Sequence, residues 1–483
     1  MTKNTSSLYF VGIGGVGMAS VAGLAQLAGF DVIGSDQNLY PPTSDILKDL
    51  KIPVLVPYSE KNVESNNNRL FVIGNAMSKQ QLEVAKILGM GLSYTSFPKF
   101  LSDYFLGKTD NIVVCGTHGK TTTSSLISYL LEKLNAEPSY MIGGAPVDLP
   151  NAFSYGKGSL FVLEGDEYDT AFFDKGSKFL HYKPNFIVFN NLEYDHVDIF
   201  KDYNALKKTF HLLLDQIKNP ENVISNFADP GVKEILNERG WTNKVFSTSI
   251  LEKTENIYLN KPVEFLPKTK EWGAEFQTKL WGKLPVITQL PGSYNFANIA
   301  QALGALTRLV ENNKIKSPLN KDLLQLIKDF HGVAKRWEIL LSTPDLEILL
   351  DFAHHPTAVY NVIKNLRAVY KNRRLITAFE PKNATSRRNV FQSKYAEVFK
   401  EADLVFIAPP PQDLRIPENE RMNIQQLCEA IGNKATAYDS FQTIEKDLLQ
   451  TLAPGDVLIF LTPGDFGGLP RSVRSLALKN MPG

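Results

Sequence analysis

The residues with the clearest capacity for chemistry lie at 111–125, where an apolar run leads through a short glycine-containing loop into a hydroxyl-rich helix. Gly116 and Gly119 let backbone N–H groups surround an oxyanion, and the start of the helix adds partial positive charge. A helix end contributes only about 0.3–1 kcal/mol at an exposed site, too little to hold a tetra-anion. Lys120 supplies a full charge, and the Thr121 hydroxyl suits a Mg²⁺ ion that bridges phosphates. The pattern predicts a shortened polyphosphate-binding loop, because a valine stands where the first glycine of a Walker A motif belongs.

Carboxylate and imidazole side chains follow the next two apolar runs. The run Leu160–Glu164 ends in Glu164, and the run at 186–190 leads to His196. Because parallel strands end at one edge of a sheet, we expect both side chains to lie near the loop lysine. Mg²⁺ is commonly held by one or two carboxylates together with waters and phosphates. The pattern predicts a metal-ligand set of Thr121, Glu164 and His196, with a cluster of capping and turn residues as the alternative.

Other polar residues nearby carry no comparable pattern. Three acidic residues after the first run are interpreted as solvated or capping side chains: Asp166, Glu167 and Asp169. Four histidines have no partner pattern, so their spacing assigns them no role: His118, His181, His211 and His331.

A second glycine-rich loop, at 12–17, reads G-x-G-x-x-G between a predicted strand and a predicted helix. Asp36 follows at the end of the next predicted strand. This combination is typical of a site where a pyrophosphate lies on a helix N-terminus and a carboxylate binds a ribose. Any nucleoside diphosphate fits that description, and a purely structural turn is the alternative. Two phosphate loops in one chain predict two different nucleotides.

Three later groups of polar residues extend the candidate chemistry. Asn295 and Asn298 open an alanine-rich helix, where their amides either contact a base or cap the helix. Arg336 lies at a junction between segments, from which a guanidinium could reach a γ-phosphate. Asp351 ends a strand before a His-His-Pro turn. A ribose contact by Asp351, with structural histidines, is the favoured interpretation of that turn.

The elements that must position these residues form three α/β segments. Apolar runs of strand length alternate with helical patterns along the chain, which predicts parallel sheets with ligands at the carboxyl ends of the strands. We place the segments at 1–107, 108–329 and 330–483, and we expect an added β region in the polar stretch near 240–285.

The composition excludes several classes of protein. The chain has 483 residues with 52 basic and 51 acidic side chains, so no net field favours nucleic acid or an anionic membrane. Its two cysteines cannot form a disulfide framework, which indicates a reducing compartment. No apolar run reaches the roughly 18 residues of a membrane span. We therefore expect a cytoplasmic protein without nucleic-acid or membrane partners, and the sequence leaves its oligomeric state open.

The chain resembles the Mur ligases, the ATP-dependent, amide-forming enzymes of peptidoglycan precursor synthesis. The resemblance covers essentially the whole chain and lies in the combination and order of the phosphate loop, Glu164, Asp195-His196, Asn295 with Asn298, Arg336 and Asp351. It implies an α/β protein with an N-terminal Rossmann-like UDP-binding domain, a central P-loop ATPase-like domain and a C-terminal Rossmann-like domain. It also implies ATP and Mg²⁺ as cofactors.

The resemblance implies roles for individual residues. ATP is expected at Gly116, Thr117, His118, Gly119, Lys120, Thr121, Thr122, Asn295, Asn298, Arg336 and Asp351. Catalytic roles are expected for Lys120, Glu164, His196 and Arg336. The UDP-sugar substrate is expected at Gly12, Gly14, Gly15, Val16, Gly17, Asp36 and Asn75, and a peptide substrate at Lys382 and Arg387.

Two kinds of Mur ligase act on UDP-N-acetylmuramate itself, one attaching L-alanine and the other a whole L-Ala-γ-D-Glu-meso-diaminopimelate tripeptide during peptidoglycan recycling. The strings at 34–44, 73–78, 166–179 and 465–468 resemble the tripeptide enzymes, and Tyr168 stands where the alanine enzymes typically have serine. Lys382 departs from the arginine usual in the tripeptide enzymes, and a lysine lacks the bidentate fork of arginine. We predict tripeptide ligation through an acyl phosphate, with L-alanine ligation as the alternative.

Two hypotheses from other classes are weaker. A nicotinamide-dependent oxidoreductase would use the first glycine loop but leaves the second phosphate loop unexplained. A non-enzymatic nucleotide-binding module leaves Glu164 and His196 without a metal to hold. The sequence does not distinguish diaminopimelate from lysine in the peptide.

Overall fold

The computed structural model describes residues 7–64, 68–412 and 415–480. The first sheet and its helices comprise β1 (Ser7–Val11), α1 (Val16–Leu27), β2 (Asp31–Ser35), α2 (Thr43–Asp49), β3 (Val54–Leu55), β4 (Arg69–Ile73), α3 (Leu82–Gly89), β5 (Tyr94–Ser96) and α4 (Phe97–Tyr104). The five strands are parallel in the order β3-β2-β1-β4-β5. Successive residues of β1 enter apolar clusters on opposite faces, as expected for a parallel strand that is covered on both sides.

The central sheet has ten strands and carries the phosphate loop. Its elements are β6 (Asp110–Cys115), α5 (Lys120–Lys133), β7 (Ser139–Met141), β8 (Phe153–Ser154), β9 (Leu160–Glu164), β12 (Phe186–Phe189), α6 (Tyr203–Leu214), β13 (Val223–Asn226), α7 (Pro230–Glu238), β14 (Phe246–Ser249), β15 (Ile257–Leu266), β16 (Glu271–Thr278), β17 (Gly282–Thr288), α8 (Ser293–Glu311) and α9 (Asn320–Asp329). A separate hairpin of β10 (Asp169–Ala171) and β11 (Asp174–Ser177) follows β9. In the sheet, β6 lies between β9 and β12 and is parallel to both.

The third sheet has six strands and, with the helices and loops of the segment that begins at residue 330, is called the third-sheet unit below. Its elements are β18 (Glu338–Ser342), β19 (Leu346–Asp351), α10 (Pro356–Val369), β20 (Leu375–Phe379), α11 (Gln392–Val398), β21 (Leu404–Ile407), α12 (Ile424–Ile431), β22 (Ala435–Ala437), α13 (Phe441–Thr451), β23 (Asp456–Leu461) and α14 (Leu469–Asn480). The order is β18-β19-β23-β20-β21-β22, and β18 is antiparallel to β19 while the other neighbours are parallel.

The α/β fold expected from the sequence is confirmed. The apolar run Leu160–Glu164 forms β9 with the predicted bounds, and the strand predicted before Asp36 is β2, which ends at Ser35. The polar stretch near 240–285 contributes strands, because β15, β16 and β17 form an antiparallel extension of the central sheet. Within the described ranges, no helix is both long and apolar enough to cross a membrane.

Backbone and side-chain contacts join the central sheet to its neighbours. Residues 145–147 and 332–334 pair as an antiparallel strap, with N–H to carbonyl distances of 3.0 Å from Val147 to Gly332 and 2.9 Å from Ala334 to Ala145. The β10–β11 hairpin reaches the first sheet, where the Phe173 ring packs edge-on against Tyr94 with centroids 5.0 Å apart. The central sheet is therefore in direct contact with both other units.

Candidate active site

The phosphate loop, residues 116–119, connects β6 to α5 and contains two glycines with positive φ. The φ angles are +124° for Gly116 and +78° for Gly119, values that strain L side chains. A Cβ atom on Gly119 would lie 2.4 Å from Oδ1 of Asn298, and one on Gly116 would lie 2.7 Å from the carbonyl oxygen of Asn191. Helix α5 begins at Lys120 without a side-chain cap, so the helix N-terminus faces the loop as an anion-binding end.

Lys120 is paired with a buried carboxylate beneath this loop. Its Nζ lies 3.0 and 2.9 Å from the two carboxylate oxygens of Glu167. Glu167 is 1% exposed, and its Oε1 also accepts a hydrogen bond of 2.9 Å from Nε2 of His196. Burial lowers the pKa of Lys120, but the carboxylate outweighs burial and the net direction is upward. Burial raises the pKa of Glu167, but Lys120 and His196 bring it below its ordinary value. The interpretation of Glu167 as a solvated or capping residue is wrong, because its charge neutralises cations inside the protein.

Glu164 and Thr121 meet at the edge of the central sheet. Thr121 Oγ1 donates to Glu164 Oε1 at 2.9 Å, and the Gly143 N–H donates to Oε2 at 2.7 Å. Burial raises the pKa of Glu164 despite these donors and the nearby charge of Lys120. A divalent cation would favour the ionised carboxylate and so offset this desolvation. The hydroxyl and carboxylate oxygens therefore fit Mg²⁺, which prefers oxygen ligands.

His196 reaches the same network from a strained backbone. Its φ is +55°, a left-handed conformation that costs a non-glycine residue roughly 1–2 kcal/mol. Burial lowers the pKa of its imidazole, but the Glu167 and Asp195 carboxylates raise it further than burial lowers it. While Nε2 is held by Glu167, Nδ1 is buried and finds no hydrogen-bond partner in the described part of the chain. An orphaned ring nitrogen is a suitable metal donor, so His196 fits the predicted metal-ligand set.

The phosphate loop is fixed by residues 191–196, which follow β12 and are called the bridging segment below. The Thr117 N–H donates to the Asn191 carbonyl at 3.3 Å. Thr117 Oγ1 accepts from the Glu193 N–H and donates to the Glu193 carbonyl, both at 2.9 Å. The Asn191 side chain accepts from the His118 N–H at 2.7 Å and donates to the His118 carbonyl at 3.0 Å. The loop conformation therefore depends on partners from outside the loop.

The Glu193 side chain joins the phosphate loop to the third-sheet unit. Its Oε2 accepts from Nε2 of His118 at 3.1 Å and from Oγ1 of Thr357 at 2.7 Å. Burial raises the pKa of Glu193, but the hydrogen bond and charge of His118 bring it down to about 2. With His355, whose Nδ1 lies 3.5 Å from the same oxygen, these residues bring three metal-ligating groups within 4.8 Å of one another. Because hydrogen bonds within the protein already occupy Glu193 and His118, we interpret these three side chains as a link between the two units and not as a metal site.

Asp195 forms a second link to the third-sheet unit. Its Oδ1 accepts from Oγ1 of Thr385 at 2.6 Å and from the His196 N–H at 2.7 Å. Both Asp195 and Thr385 are buried. The residue before His196 is therefore held directly by a side chain from the loop after β20.

The first glycine loop, residues 12–15, connects β1 to α1. The Gly14 N–H donates to Oδ2 of Asp36 at 2.8 Å, so the carboxylate predicted to bind a ribose also closes the loop. Gly15 caps α1 without a side chain, and Val16 and Gly17 begin the helix. Asn75, after β4, donates to the carbonyl of Asp169 at 2.8 Å, which ties this region to the β10–β11 hairpin.

Asn295 and Asn298 are buried at the start of α8. Nδ2 of Asn298 donates to Oδ1 of Asn295 at 3.0 Å, and Oδ1 of Asn298 accepts from Oγ1 of Thr123 at 3.2 Å. Their amides are thus bonded to each other and to α5, next to the phosphate loop. Contact with a nucleotide base stays a prediction.

Arg336 and Asp351 lie together beyond the strap. The Asp351 carboxylate is buried and accepts two backbone N–H bonds of 2.7 Å, from Trp337 and Ala353. Burial raises its pKa, and the charge of Arg336 opposes that effect. The Arg336 guanidinium carbon lies 4.6 Å from the centroid of the Phe352 ring. The structure therefore brings these two predicted nucleotide-binding residues together.

The predicted peptide-binding residues occupy the loop after β20. Nζ of Lys382 lies 3.6 Å from Oε1 of Glu380 and 3.5 Å from Oδ1 of Asp465. Nε of Arg387 donates to the Asn383 carbonyl at 3.4 Å. Their role toward a peptide stays a prediction.

Several functional candidates were missed from the sequence. Glu167 and Glu193 each follow a strand of the central sheet at the edge where the phosphate loop lies, a position that does signal a site. Thr385 gives no such signal, because its partner Asp195 is distant in sequence and belongs to another unit. The histidines that spacing left without a role each contact a carboxylate: His118 with Glu193, His181 with Asp174, His211 with Glu238 and His331 with Asp148.

Three family models match the chain in succession. The model described as the catalytic domain of the Mur ligase family matches residues 7–109, the Mur ligase middle domain matches 114–306, and the Mur ligase glutamate ligase domain matches 335–463. The UDP-N-acetylmuramate–L-alanyl-γ-D-glutamyl-meso-2,6-diaminoheptandioate ligase of Escherichia coli K12 is 30% identical over 463 residues, which is 96% of each chain. The chain belongs to the Mur ligase family. Mur ligases are ATP-dependent enzymes that form amide bonds, so the resemblance and the prediction of a ligase are confirmed.

Other relatives of this Mur ligase include enzymes for both acceptors. The UDP-N-acetylmuramate–L-alanine ligase of Carboxydothermus hydrogenoformans is 28% identical, and the aligned region spans 95% of this chain and 94% of that enzyme. The murein peptide ligase of Psychrobacter arcticus is 27% identical with a TM-score of 0.70, covering 98% of this chain and 99% of its own. The UDP-N-acetylmuramate–alanine ligase of Thermotoga maritima has a TM-score of 0.76, covers 98% of this chain and 100% of its own, and at 20% identity shows the fold alone.

Proposed function

We propose that this Mur ligase joins the carboxylate of UDP-N-acetylmuramate to the amino group of L-Ala-γ-D-Glu-meso-diaminopimelate at the expense of ATP. The observation that carries the proposal is the buried Lys120–Glu167–His196 network beside Glu164, at the mouth of a loop shaped for phosphates. The tripeptide is supported by the E. coli relative, whose name specifies that peptide and which matches the chain almost end to end. We place the reaction in peptidoglycan recycling and in the cytoplasm.

ATP is the proposed occupant of the phosphate loop. The loop Gly116–Thr117–His118–Gly119 would wrap around its phosphates. Because the Thr117 and His118 N–H groups donate to Asn191, the phosphates would bind the N–H groups of Gly119 and of the first turn of α5, and Lys120 would add a full charge. Thr121, Glu164 and His196 would hold Mg²⁺, which neutralises charge that develops on the phosphates. Further nucleotide contacts are proposed for Thr122, Asn295, Asn298, Arg336 and Asp351.

The chemistry follows from the inertness of a carboxylate toward an amine. The lactyl carboxylate of the sugar nucleotide takes the γ-phosphoryl group of ATP, which yields an acyl phosphate and ADP. The peptide amine then attacks the acyl carbon, a proton is lost from nitrogen, and phosphate leaves with the bonding electrons. Lys120 stabilises the transferring phosphoryl group electrostatically. Closure of the third-sheet unit excludes water that would hydrolyse the acyl phosphate.

The other two units supply the substrates in this proposal. The unit at 1–107 binds the sugar nucleotide through the glycine loop 12–17, with Asp36 and Asn75 nearby. The central unit at 108–329 binds ATP. The unit at 330–483 binds the peptide, with Lys382 and Arg387 as partners for its carboxylates. The Lys382 ammonium would bind a carboxylate as a single charge, whereas an arginine guanidinium would form two parallel hydrogen bonds to it.

L-alanine ligation is the second candidate. It is supported by the L-alanine ligases among the relatives, one of which covers 95% of the chain. The two candidates share the sugar nucleotide and the nucleotide chemistry, so they differ only in the amine acceptor. A test must therefore vary the acceptor alone.

The deciding experiment measures ADP release with UDP-N-acetylmuramate and Mg²⁺-ATP while the acceptor is varied. We expect turnover with the meso-diaminopimelate tripeptide at a kcat/KM at least about 100-fold above that with free L-alanine, since a site that pairs with the charged groups of a peptide discriminates against an acceptor that lacks them. The lysine-containing tripeptide tests the third residue. Reactions without UDP-N-acetylmuramate, and the Lys120→Ala variant, are the controls. Faster turnover with L-alanine would replace the proposal with its alternative.

A further inference from the structure

The bridging segment lies between the phosphate loop and the third-sheet unit. On one side, Thr117 and His118 of the loop bond to Asn191 and Glu193. On the other side, Glu193 and Asp195 accept hydrogen bonds from hydroxyl groups of the third-sheet unit. The segment ends at His196, whose free Nδ1 is a proposed metal donor. The segment therefore contacts the nucleotide loop through Asn191 and Glu193, and it reaches the metal-ligand set through Asp195 and His196.

The bond between Thr385 and Asp195 is well placed for such control. Its 2.6 Å length and the burial of both residues, 1% and 3% exposed, describe a short hydrogen bond to a charge shielded from water. Bonds of this kind are stronger than exposed neutral ones. The same Asp195 oxygen receives the His196 N–H at 2.7 Å. One oxygen thus connects a hydroxyl of the third-sheet unit to the backbone of His196.

The His196 backbone needs this support. Its left-handed φ of +55° is a strained conformation for an imidazole-bearing residue and persists only where its surroundings over-determine it. Glu167 fixes the ring through Nε2, and Asp195 fixes the peptide N–H. Loss of the hydroxyl that orients Asp195 would free the carboxylate to rotate and would relax the constraint on His196.

We propose that Thr385 is a positioning residue that, from the third-sheet unit, holds His196 of the metal-ligand set in place through Asp195. Thr357 of the same unit supports the bridging segment at Glu193. The inference rests on the proposed function, in which His196 holds a metal ion beside a nucleotide. Neither threonine touches the metal or the substrate in this role. Thr385 orients Asp195, and Thr357 orients Glu193 through a 2.7 Å bond to its carboxylate.

The test measures binding of Mn²⁺ to the full chain in the presence of ADP, by electron paramagnetic resonance of the free ion. Thr385→Val removes the hydroxyl while keeping the shape of the side chain. We expect it to raise the Kd for Mn²⁺ about tenfold, the usual effect of losing a group that orients a metal ligand. The affinity for ADP without metal should stay within about twofold, because the loop itself is fixed by other partners. Thr385→Ser restores the hydroxyl and should restore the affinity.

Thr377→Val is the matched control. Thr377 is a fully buried threonine of β20 in the same unit, and its Oγ1 has no hydrogen-bond partner within the described residues. Its substitution removes the same atom from the same unit without touching the bridging segment, so the Kd for Mn²⁺ should stay that of the wild type. Thr357→Val provides a second variant with a smaller expected rise, should Thr385→Val fail to fold.

The outcomes separate the inference from the proposed function. Wild-type affinity for Mn²⁺ in Thr385→Val would overturn the inference alone. An equal loss in Thr385→Val and Thr377→Val would also overturn it, since the effect would then reflect general weakening of the unit. A wild-type protein that binds Mn²⁺ no better with ADP than without it, and that releases no ADP from ATP with any acceptor, would overturn both.

Discussion

Nζ of Lys120 lies 2.9 Å from Oε2 of Glu167 in an ion pair that is almost fully buried beneath the phosphate loop. A phosphate that enters the loop therefore meets a cation whose charge is already shared with a carboxylate. Glu167 also holds His196, so one buried anion orders both the loop lysine and a proposed metal ligand. Phosphate oxygens that replaced Glu167 at Lys120 would therefore also change the surroundings of His196.

Substitution of the loop lysine tests the chemistry most directly. Lys120→Ala should lower ADP release by at least about 100-fold, because a preorganised charge at the transferring phosphoryl group is lost. Circular dichroism melting establishes that the variant is folded. Lys133→Ala, at the exposed end of the same helix, is the control and should keep wild-type turnover. ADP release by Lys120→Ala near the wild-type rate would show that Lys120 does not stabilise the transferring phosphoryl group.

Neutralisation of the buried carboxylate should destabilise the fold. Glu167→Gln leaves Lys120 buried without its counter-charge, which we expect to cost about 3 kcal/mol in the free energy of unfolding measured in urea. Glu234→Gln breaks an ion pair with Lys207 at the surface and should leave the free energy of unfolding close to that of the wild type, because exposed ion pairs contribute little to stability. An equal loss of unfolding free energy in the two variants would show that the buried pair stabilises the fold no more than the exposed pair does.

Two glycines separate crowding from backbone strain. Gly119 and Gly240 both have positive φ, +78° and +60°, but only Gly119 is crowded, since an added Cβ would meet Asn298 at 2.4 Å while nothing lies within 4 Å at Gly240. We expect Gly119→Ala to weaken binding of a non-hydrolysable ATP analogue at least about tenfold, by calorimetry, because the loop must shift. Gly240→Ala should cost about 1 kcal/mol of stability and leave binding intact. Unchanged binding of the ATP analogue in Gly119→Ala would show that nucleotide binding does not depend on the close approach of Gly119 to Asn298.

Acid should weaken the fold through a histidine of the third-sheet unit. Burial lowers the pKa of His354 from 6.5 to about 4, so between these values the unfolded chain binds more protons than the folded one. Stability is then full above about pH 6.5 and falls as the pH drops toward 4, by at most about 3 kcal/mol for this group. His354→Gln should flatten the dependence of unfolding free energy on pH in that window. His331→Gln, at an exposed histidine, is the comparison, and an identical flattening there would contradict the assignment.

The sequence predicted the strands and the loops between them better than it predicted the contacts across units. Apolar runs such as those ending at Ser35 and Glu164 are set by burial on both faces of a sheet, which leaves a local pattern. The burial of Glu167 could not be predicted, because short acidic runs are usually exposed to solvent. Its burial depends on an ion pair with Lys120, which is far away in sequence. Thr385 was invisible for the same reason. Its partner Asp195 becomes a neighbour only once two separate sheets have been brought together.

The stretch from Glu164 to Ser177 contains a carboxylate of the metal-ligand set, the counter-ion of Lys120 and, at Asp169, the partner of Asn75 beside the first glycine loop. A short length of chain therefore joins the residues around the phosphate loop to those around the first glycine loop, so the spacing between the two sites is set by covalent connection as well as by packing.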